Sequence, residues 1–379
     1  MGILVETNIP YGNACNVSAS ETVDGAVVRL AADPHGGPEC LWFCVRLRQT
    51  EPARVRSVRL VIESFTNMLG AGDPAYVRPV VRRAGGDWER LGPGERIVLP
   101  DGRIEAAWTV ELGGELVDAA LCYPYGMPEI ADLLRDTRGY WRADTIGVSQ
   151  GGRPLVRLSN GTGEGARRPG LYLVARQHSG ETPGSWALDG FLRQLAEAPG
   201  PTPLVWAVPL SNTDGVEQGD YGKDNFPYDL NRAWGSPPMR HEVLAIQRDM
   251  HRWQARCRPC LGIDFHAPGA CEHEGVYGYV PDRERFPSCH TAAVRWGRVL
   301  GEALTREYAA AVFTRGANYA SRWETPHFDG WCAALRIPAI SLETPYAMIG
   351  ERVLLRSDYQ EIGRRLAKAV LQELRFCTH

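Results

Sequence analysis

No apolar run in this chain approaches the roughly 18 residues that a bilayer-spanning helix needs, so no membrane association is expected. An excess of basic residues is missing as well. The net charge is −3, which leaves no electrostatic footprint for nucleic acid. The opening segment MGILVETNIP lacks a basic stretch followed by a long apolar one, so no secretory leader is expected. Glu6 stands where a myristoylation signal wants Ser or Thr, and that pattern is set aside. The ten cysteines are scattered, and the one CxxC, Cys257-Arg258-Pro259-Cys260, has no second pair to complete a four-thiolate site. Reduced, partly buried thiols in a cytoplasmic protein are the expectation. Cys257 and Cys260 are read as a helix end running into a strand, with a zinc or redox role, helped by Cys271, as the alternative. Internal repeats and low-complexity segments are absent, and nothing in the sequence bears on oligomeric state.

What is present describes an ordinary globular chain: 379 residues, 44% hydrophobic and 23% charged, enough for two domains and a large core. Residues 1–125 alternate apolar and polar at strand spacing, as in Val27–Leu30, Leu41–Leu47, Val55–Ile62, Val77–Arg82, Arg96–Leu99, Ile104–Leu112 and Leu116–Cys122. Turn signals such as Gly85-Gly86-Asp87, Asp101-Gly102 and Gly113-Gly114 separate them, which predicts an antiparallel β-sandwich domain. The character changes at Tyr123-Pro124-Tyr125-Gly126. A short helix is predicted over 128–135, then strands over 143–148 and 154–158. From Leu171 onward strands (171–177, 203–209, 260–265, 338–342) alternate with helices (183–196, 239–255, 289–307, 357–375). That rhythm predicts an α/β domain over 126–379, a mostly parallel mixed sheet flanked by helices on both faces.

The chemistry gathers where those strands end. Leu171–Ala175 runs into the turn Gln177-His178-Ser179-Gly180-Glu181, and Thr182-Pro183 opens the following helix with a capping residue and a proline where the missing N–H costs nothing. Leu261–Phe265 breaks at His266, and Ile337–Leu342 runs into Glu343. In a parallel sheet these C-terminal ends share one edge, so His178, Glu181, His266 and Glu343 can converge. Three of the four make a His₂Glu set for Zn²⁺ with one position open for water, and the remaining carboxylate can accept that water's proton. Asp264, two residues before His266 on the same side of its strand, can take the imidazole's other N–H or simply cap the strand end.

These segments together are similar to the zinc metallocarboxypeptidase family, closest to its cytosolic carboxypeptidase branch. Arg176–Trp186 (RQHSGETPGSW) resembles the branch's RxHPGETPGSW segment, with Ser179 in place of the proline. Asn212-Thr213-Asp214-Gly215 resembles its NPDG turn, and Asp229-Leu230-Asn231-Arg232 its DLNR motif. Asp264-Phe265-His266 and Ser341-Leu342-Glu343 match the segments of the third ligand and the catalytic glutamate. The order is collinear, whereas the amino-terminal half agrees only in architecture. The resemblance implies that His178, Glu181 and His266 bind one Zn²⁺ and that Glu343 is the general base. It further implies that Asn231 and Arg232 hold the substrate's terminal carboxylate and that Tyr319, with Trp323 as a weaker match, closes over the substrate. A planar guanidinium suits a bidentate carboxylate, although Arg232 can equally pair with Asp229 or Asp214.

A further departure from the family concerns the oxyanion. Gly222 stands where an oxyanion-stabilising arginine is usual, leaving Lys223 as the nearest cation and Arg315 as a distant one. His273 and Glu274 can line a pocket or lie in solvent, and Arg153, Arg167 and Arg168 can favour acidic peptides or lie on the surface. The expected activity is hydrolysis of an amide next to a free carboxylate, on a peptide or a small carboxylate-bearing amide. The alternatives are a small-molecule amidohydrolase on the same site and a catalytically silent binding module.

Overall fold

A computed structural model describes residues 2–376 apart from 23–24, 36, 38, 52–54, 69–71, 164–167, 224–228 and 317–326. Among the described residues, ten strands build the first part of the chain: β1 (Ile3–Glu6), β2 (Cys15–Thr22), β3 (Gly25–Ala31), β4 (Cys44–Gln49), β5 (Ser57–Ile62), β6 (Val80–Arg83), β7 (Trp88–Arg90), β8 (Glu95–Val98), β9 (Ile104–Glu111) and β10 (Leu116–Ala120). They form two five-stranded sheets, ordered β1-β4-β10-β6-β7 and β2-β3-β5-β9-β8. Every neighbouring pair is antiparallel except β3 and β5, which run parallel with Val28 opposite Leu60. The sheets are otherwise antiparallel, as the sequence predicts, and this one pairing is an exception to it. Alternation tells which face a residue takes and is silent about strand direction.

The second part of the chain carries α1 (Met127–Asp136), β11 (Arg142–Val148), β12 (Pro154–Ser159), β13 (Pro169–Ala175), α2 (Thr182–Glu197), β14 (Leu204–Val208), α3 (Thr213–Gln218), α4 (His241–Gln254), β15 (Arg258–His266), β16 (Val276–Val280), α5 (Pro287–Tyr308), β17 (Ala309–Gly316), α6 (Phe328–Ala334), β18 (Ala339–Glu343) and α7 (Arg356–Phe376). Eight of these strands make one mixed sheet in the order β11-β12-β14-β13-β15-β18-β16-β17. Its centre, β14-β13-β15-β18, is parallel, and antiparallel pairs join it to the flanking strands. Strand β13 is apolar at every buried position because both its faces are covered. Leu171 and Leu173 face one core, shared with Phe191 and Leu195 of α2 and Leu366 of α7. Tyr172 and Val174 face the other, with Ile246 and Met250 of α4 and Phe328 of α6. Cys257 lies between α4 and β15 and Cys260 within β15, the helix end entering a strand that the sequence predicts.

The apolar core on the α2 side continues without a break into the two amino-terminal sheets. Polar contacts cross the same junction: Trp186 Nε1 donates to Tyr123 O at 3.1 Å and Arg90 to the Tyr359 hydroxyl at 2.9 Å. We propose the domain boundary at residues 125–126, where β10 gives way to α1. Among the described residues no helix is long and apolar enough to cross a membrane.

Helices α2 and α7 pack backbone to backbone. A Cβ added to Gly363 would lie 1.8 Å from Ala187 O, and one on Gly190 would lie 2.0 Å from Gln360 O. Gly363→Ala is therefore expected to lower the unfolding free energy by about 1–3 kcal/mol through overpacking, read from the urea midpoint. An unchanged midpoint would mean that the helices can part freely.

Candidate metal centre and active site

The parallel centre of the sheet ends at one edge, and the site stands there. His178 and Glu181 lie on the turn between β13 and α2, His266 closes β15, and Glu343 closes β18 directly opposite His266 in the strand register. The turn is held tightly. Arg176 adopts a left-handed backbone (φ 60°), a conformation that non-glycine residues keep only where their surroundings enforce it. Its buried guanidinium donates to Ser179 O and, at 2.8 Å, to Tyr125 O. Burial lowers the Arg176 pKa to about 10.

Among the described residues, His178, Glu181 and His266 form the one cluster of three or more His, Cys, Asp or Glu groups able to hold a metal ion, with ligand atoms within 4.8 Å of one another. Each imidazole turns its Nδ1 to a different Glu181 oxygen, His178 at 2.9 Å and His266 at 2.7 Å. Each Nε2 faces a second carboxylate, Asp229 at 3.2 Å for His178 and Asp264 at 2.6 Å for His266. A neutral imidazole has one N–H. With that N–H spent on the Nε2 side, two Nδ1 lone pairs and a carboxylate converge on one buried point, and three carboxylates surround two neutral rings. Such a donor set asks for a divalent cation, and its residues fit Zn²⁺.

The protonation behaviour of the protein alone agrees. Burial by itself would lower the pKa of His178, but Glu181 and Asp229 outweigh it and raise it. Asp264 and Glu181 do the same, more strongly, for His266. Burial would raise Glu181, yet the two histidines pull it well below the usual carboxylate range. The cluster is short of positive charge.

Glu343 differs in every respect. Burial, offset by His266 and reinforced by Glu181, raises its pKa to about 7. Its Oε2 is buried with no hydrogen-bond partner among the described residues. An ionisable oxygen held open beside the candidate metal ligands suits a base that must meet water.

Asn231 lies against the same ligands. Its Nδ2 is 3.2 Å from His266 Nε2, and its Oδ1 accepts from Phe328 N at 3.3 Å. Arg232 is partly buried beside it and donates to Asn231 O at 3.0 Å. Of the two proposed ion-pair partners for Arg232, Asp214 is bound by Arg153 and Ser149, both at 2.7 Å. Lys223, one of only two lysines in the chain, brings Nζ to 3.7 Å from Glu181 Oε1. Gly222 before it has φ 89°, and a Cβ there would lie 2.5 Å from Ser179 N and Oγ. No side chain fits where the family places its arginine. Ser179, the replacement for the family's proline, donates to Asp220 O at 3.0 Å and so ties the two loops together.

Several sequence readings find other places. Tyr319 and Trp323 lie outside the described residues, as does Arg167. Arg315 pairs with Glu274 at 2.6 Å and sits over the Tyr277 ring. His273 stacks on Tyr76 at 3.7 Å. Arg153 is taken by Asp214, and Arg168 donates to Thr202 O and Pro203 O. Arg315, His273, Arg153 and Arg168 are thus engaged in contacts within the fold.

Three residues at the site take places that the sequence reading did not give them. Asp229, read there as part of the DLNR segment and as a partner for Arg232, also faces His178, 51 positions away, a spacing that no local pattern reveals. The Tyr221 hydroxyl is buried with no hydrogen-bond partner among the described residues, its pKa raised far by burial and then by Glu181. His327 precedes α6, and burial together with Arg232 lowers its pKa to about 4. Asp229→Asn is expected to weaken metal affinity about 10–100-fold, measured by chelator competition. Unchanged affinity would reduce Asp229 to a packing neighbour of His178.

The fold is that of the metallo-carboxypeptidases. The structure superimposes on a metallo-carboxypeptidase from Burkholderia cenocepacia with a TM-score of 0.79 and 20% identity, covering 99% of this chain and all of that one. A metallo-carboxypeptidase from Pseudomonas aeruginosa, in complex with (2-guanidinoethylmercapto)succinic acid, gives 0.74 at 18% identity, over 98% of this chain and 99% of the other. In sequence the chain is 27% identical over 280 residues to cytosolic carboxypeptidase 2 of Danio rerio, covering 66% of this chain and 39% of that protein. It spans about two fifths of the length of the curated relatives it matches. No family model matches the chain. The chain is thus similar in sequence to the cytosolic carboxypeptidases and shares the metallo-carboxypeptidase fold.

Proposed function

We propose that this chain is a zinc-dependent hydrolase that releases the C-terminal amino acid of a peptide. One observation carries the reading: the His178–Glu181–His266 donor set stands beside a base, Glu343, whose Oε2 has no hydrogen-bond partner among the described residues. A structural zinc site would be closed by four protein ligands, whereas three ligands and a nearby base mark a catalytic one. When bound there, zinc supplies Lewis acidity, polarising the scissile carbonyl and bringing the pKa of a coordinated water to about 7. Arg232 grips the substrate's terminal carboxylate with two parallel N–H donors, and Asn231 adds a side-chain amide donor. Glu343 takes a proton from the attacking water and returns it to the departing amine. Lys223 offers its ammonium to the oxyanion that develops on the carbonyl. Tyr319 is the residue proposed to close over the substrate.

The dicarboxylic ligand of the Pseudomonas aeruginosa structure is consistent with a site built for free carboxylates. Gly222 favours a second reading, an amidohydrolase acting on small N-acyl amino acids, because a lysine in place of arginine alters the oxyanion donor. Both readings need the carboxylate clamp. Arg232→Ala is expected to raise KM for free-carboxylate substrates by about 10–100-fold, the loss of charged hydrogen bonds, and to leave amidated substrates unchanged. If both substrate types weaken equally, the clamp is misplaced.

A further inference from the structure

The loop that carries Lys223 is held from two sides. From the catalytic side, Gly180 N donates to Tyr221 O at 2.8 Å and Ser179 Oγ to Asp220 O at 3.0 Å. The other side belongs to the amino-terminal half. Asn13, buried, donates through Nδ2 to Gly219 O at 2.9 Å and accepts at Oδ1 from Asp33 N at 2.8 Å. Asp33 Oδ1 in turn accepts from His35 N at 3.0 Å. The His35 Nδ1 then meets Asp220 Oδ1 in a short hydrogen bond across the junction. The backbones also touch closely: a Cβ on Gly219 would lie 2.3 Å from Gly12 O. With Gly219 (φ 73°) and Gly222 (φ 89°) at either end, the loop has little stiffness of its own. Its position is imposed by these bonds.

We propose that His35 is a positioning residue, through which the amino-terminal half fixes the 219–223 loop and so aims the Lys223 ammonium. The assignment rests on the reading of Lys223 as the oxyanion cation. It gives the amino-terminal sheets a part in turnover that substrate contact does not require. The loop also follows α3 and touches the turn of His178 and Glu181, so a loosened loop moves Lys223 relative to Glu181, from which it stands 3.7 Å away. A displacement of about 1 Å can cost on the order of 10²-fold in rate.

The test is a double-mutant cycle on the metal-loaded full chain. The probe is an N-furylacryloyl dipeptide with a free C-terminus, selected for turnover from a panel varying only its last residue. His35→Gly tolerates the left-handed backbone at this position (φ 46°) and removes the side chain that reaches Asp220. It is expected to lower kcat roughly 10–100-fold with KM and metal content unchanged. His35→Asn also tolerates that backbone and carries its Nδ2 on Cγ, as histidine carries Nδ1, so it is expected to keep most of the activity. On a Lys223→Ala background His35→Gly is expected to cost less than threefold, because the residue it positions is gone. Multiplicative losses, or full activity in His35→Gly, would overturn the proposal while leaving Lys223 its role. If Lys223→Ala keeps wild-type kcat, the oxyanion reading fails, and the positioning proposal fails with it whether or not His35→Gly loses activity.

Discussion

Glu343→Gln is expected to lower kcat by about 10²–10⁴, the usual contribution of a positioned general base, while the protein keeps its full complement of metal. The substitution conserves shape and removes only the ability to accept a proton. Glu343 is not among the ligand atoms; it lies one strand away, opposite His266 in the ladder. The pH profile carries a second signature. A base works in its ionised form, so kcat/KM falls as pH drops through its pKa and is constant above it. Burial raises that pKa to about 7 in the protein alone, and a cation at His178, Glu181 and His266 favours the carboxylate and lowers it. The wild-type acid limb should therefore have its midpoint at or below about pH 7, and Glu343→Gln should lose that limb. Loss of metal in this variant, or a retained limb, would assign Glu343 to the ligand shell or to structure.

Lys223→Ala should cost about 10²–10³ in kcat, the typical effect of deleting one oxyanion donor, with a smaller change in KM. Lysine differs from the family's arginine in offering a compact point charge on a flexible stem. Its target is correspondingly less constrained, which is why the loop beneath it must be. Restoring an arginine at Gly222 would not substitute for Lys223, since the added Cβ would strike Ser179 and the backbone there has φ 89°. Gly222→Arg is expected to lose stability as well as activity. A Gly222→Arg variant that is stable and faster than wild type would show that the loop can adopt another course.

Much of the catalytic half was legible because its central strands are uniformly apolar. Leu171–Ala175, Leu204–Val208 and Ala339–Leu342 are buried on both faces and can hardly be anything else. The sheet's far edge was not legible. In β16 a glycine interrupts Val276–Val280, and β17 follows α5 without a gap, so Ala309–Gly316 reads as the fraying end of a helix. In the amino-terminal half β2 is mostly exposed and carries no apolar alternation, and α3 and α6 are too short to show a helical period. The candidate metal ligands could be picked out because each ends a strand or stands on the turn that follows one. The groups that tune them were readable only when local. Asp264 is two residues from His266, whereas Asp229 reaches His178, and His35 reaches Asp220, only through the fold.

Metal content of the purified chain, measured together with mass spectrometry of peptides bearing free or amidated C-termini before and after incubation, bears most directly on the zinc carboxypeptidase reading. One zinc per chain, single-residue loss from the free-carboxylate peptides alone, and no loss after chelation is the expected result. Zinc present with both peptide sets untouched would move the weight to a small-molecule amidohydrolase. A chain without stoichiometric metal, or one that trims amidated peptides equally well, would contradict the reading.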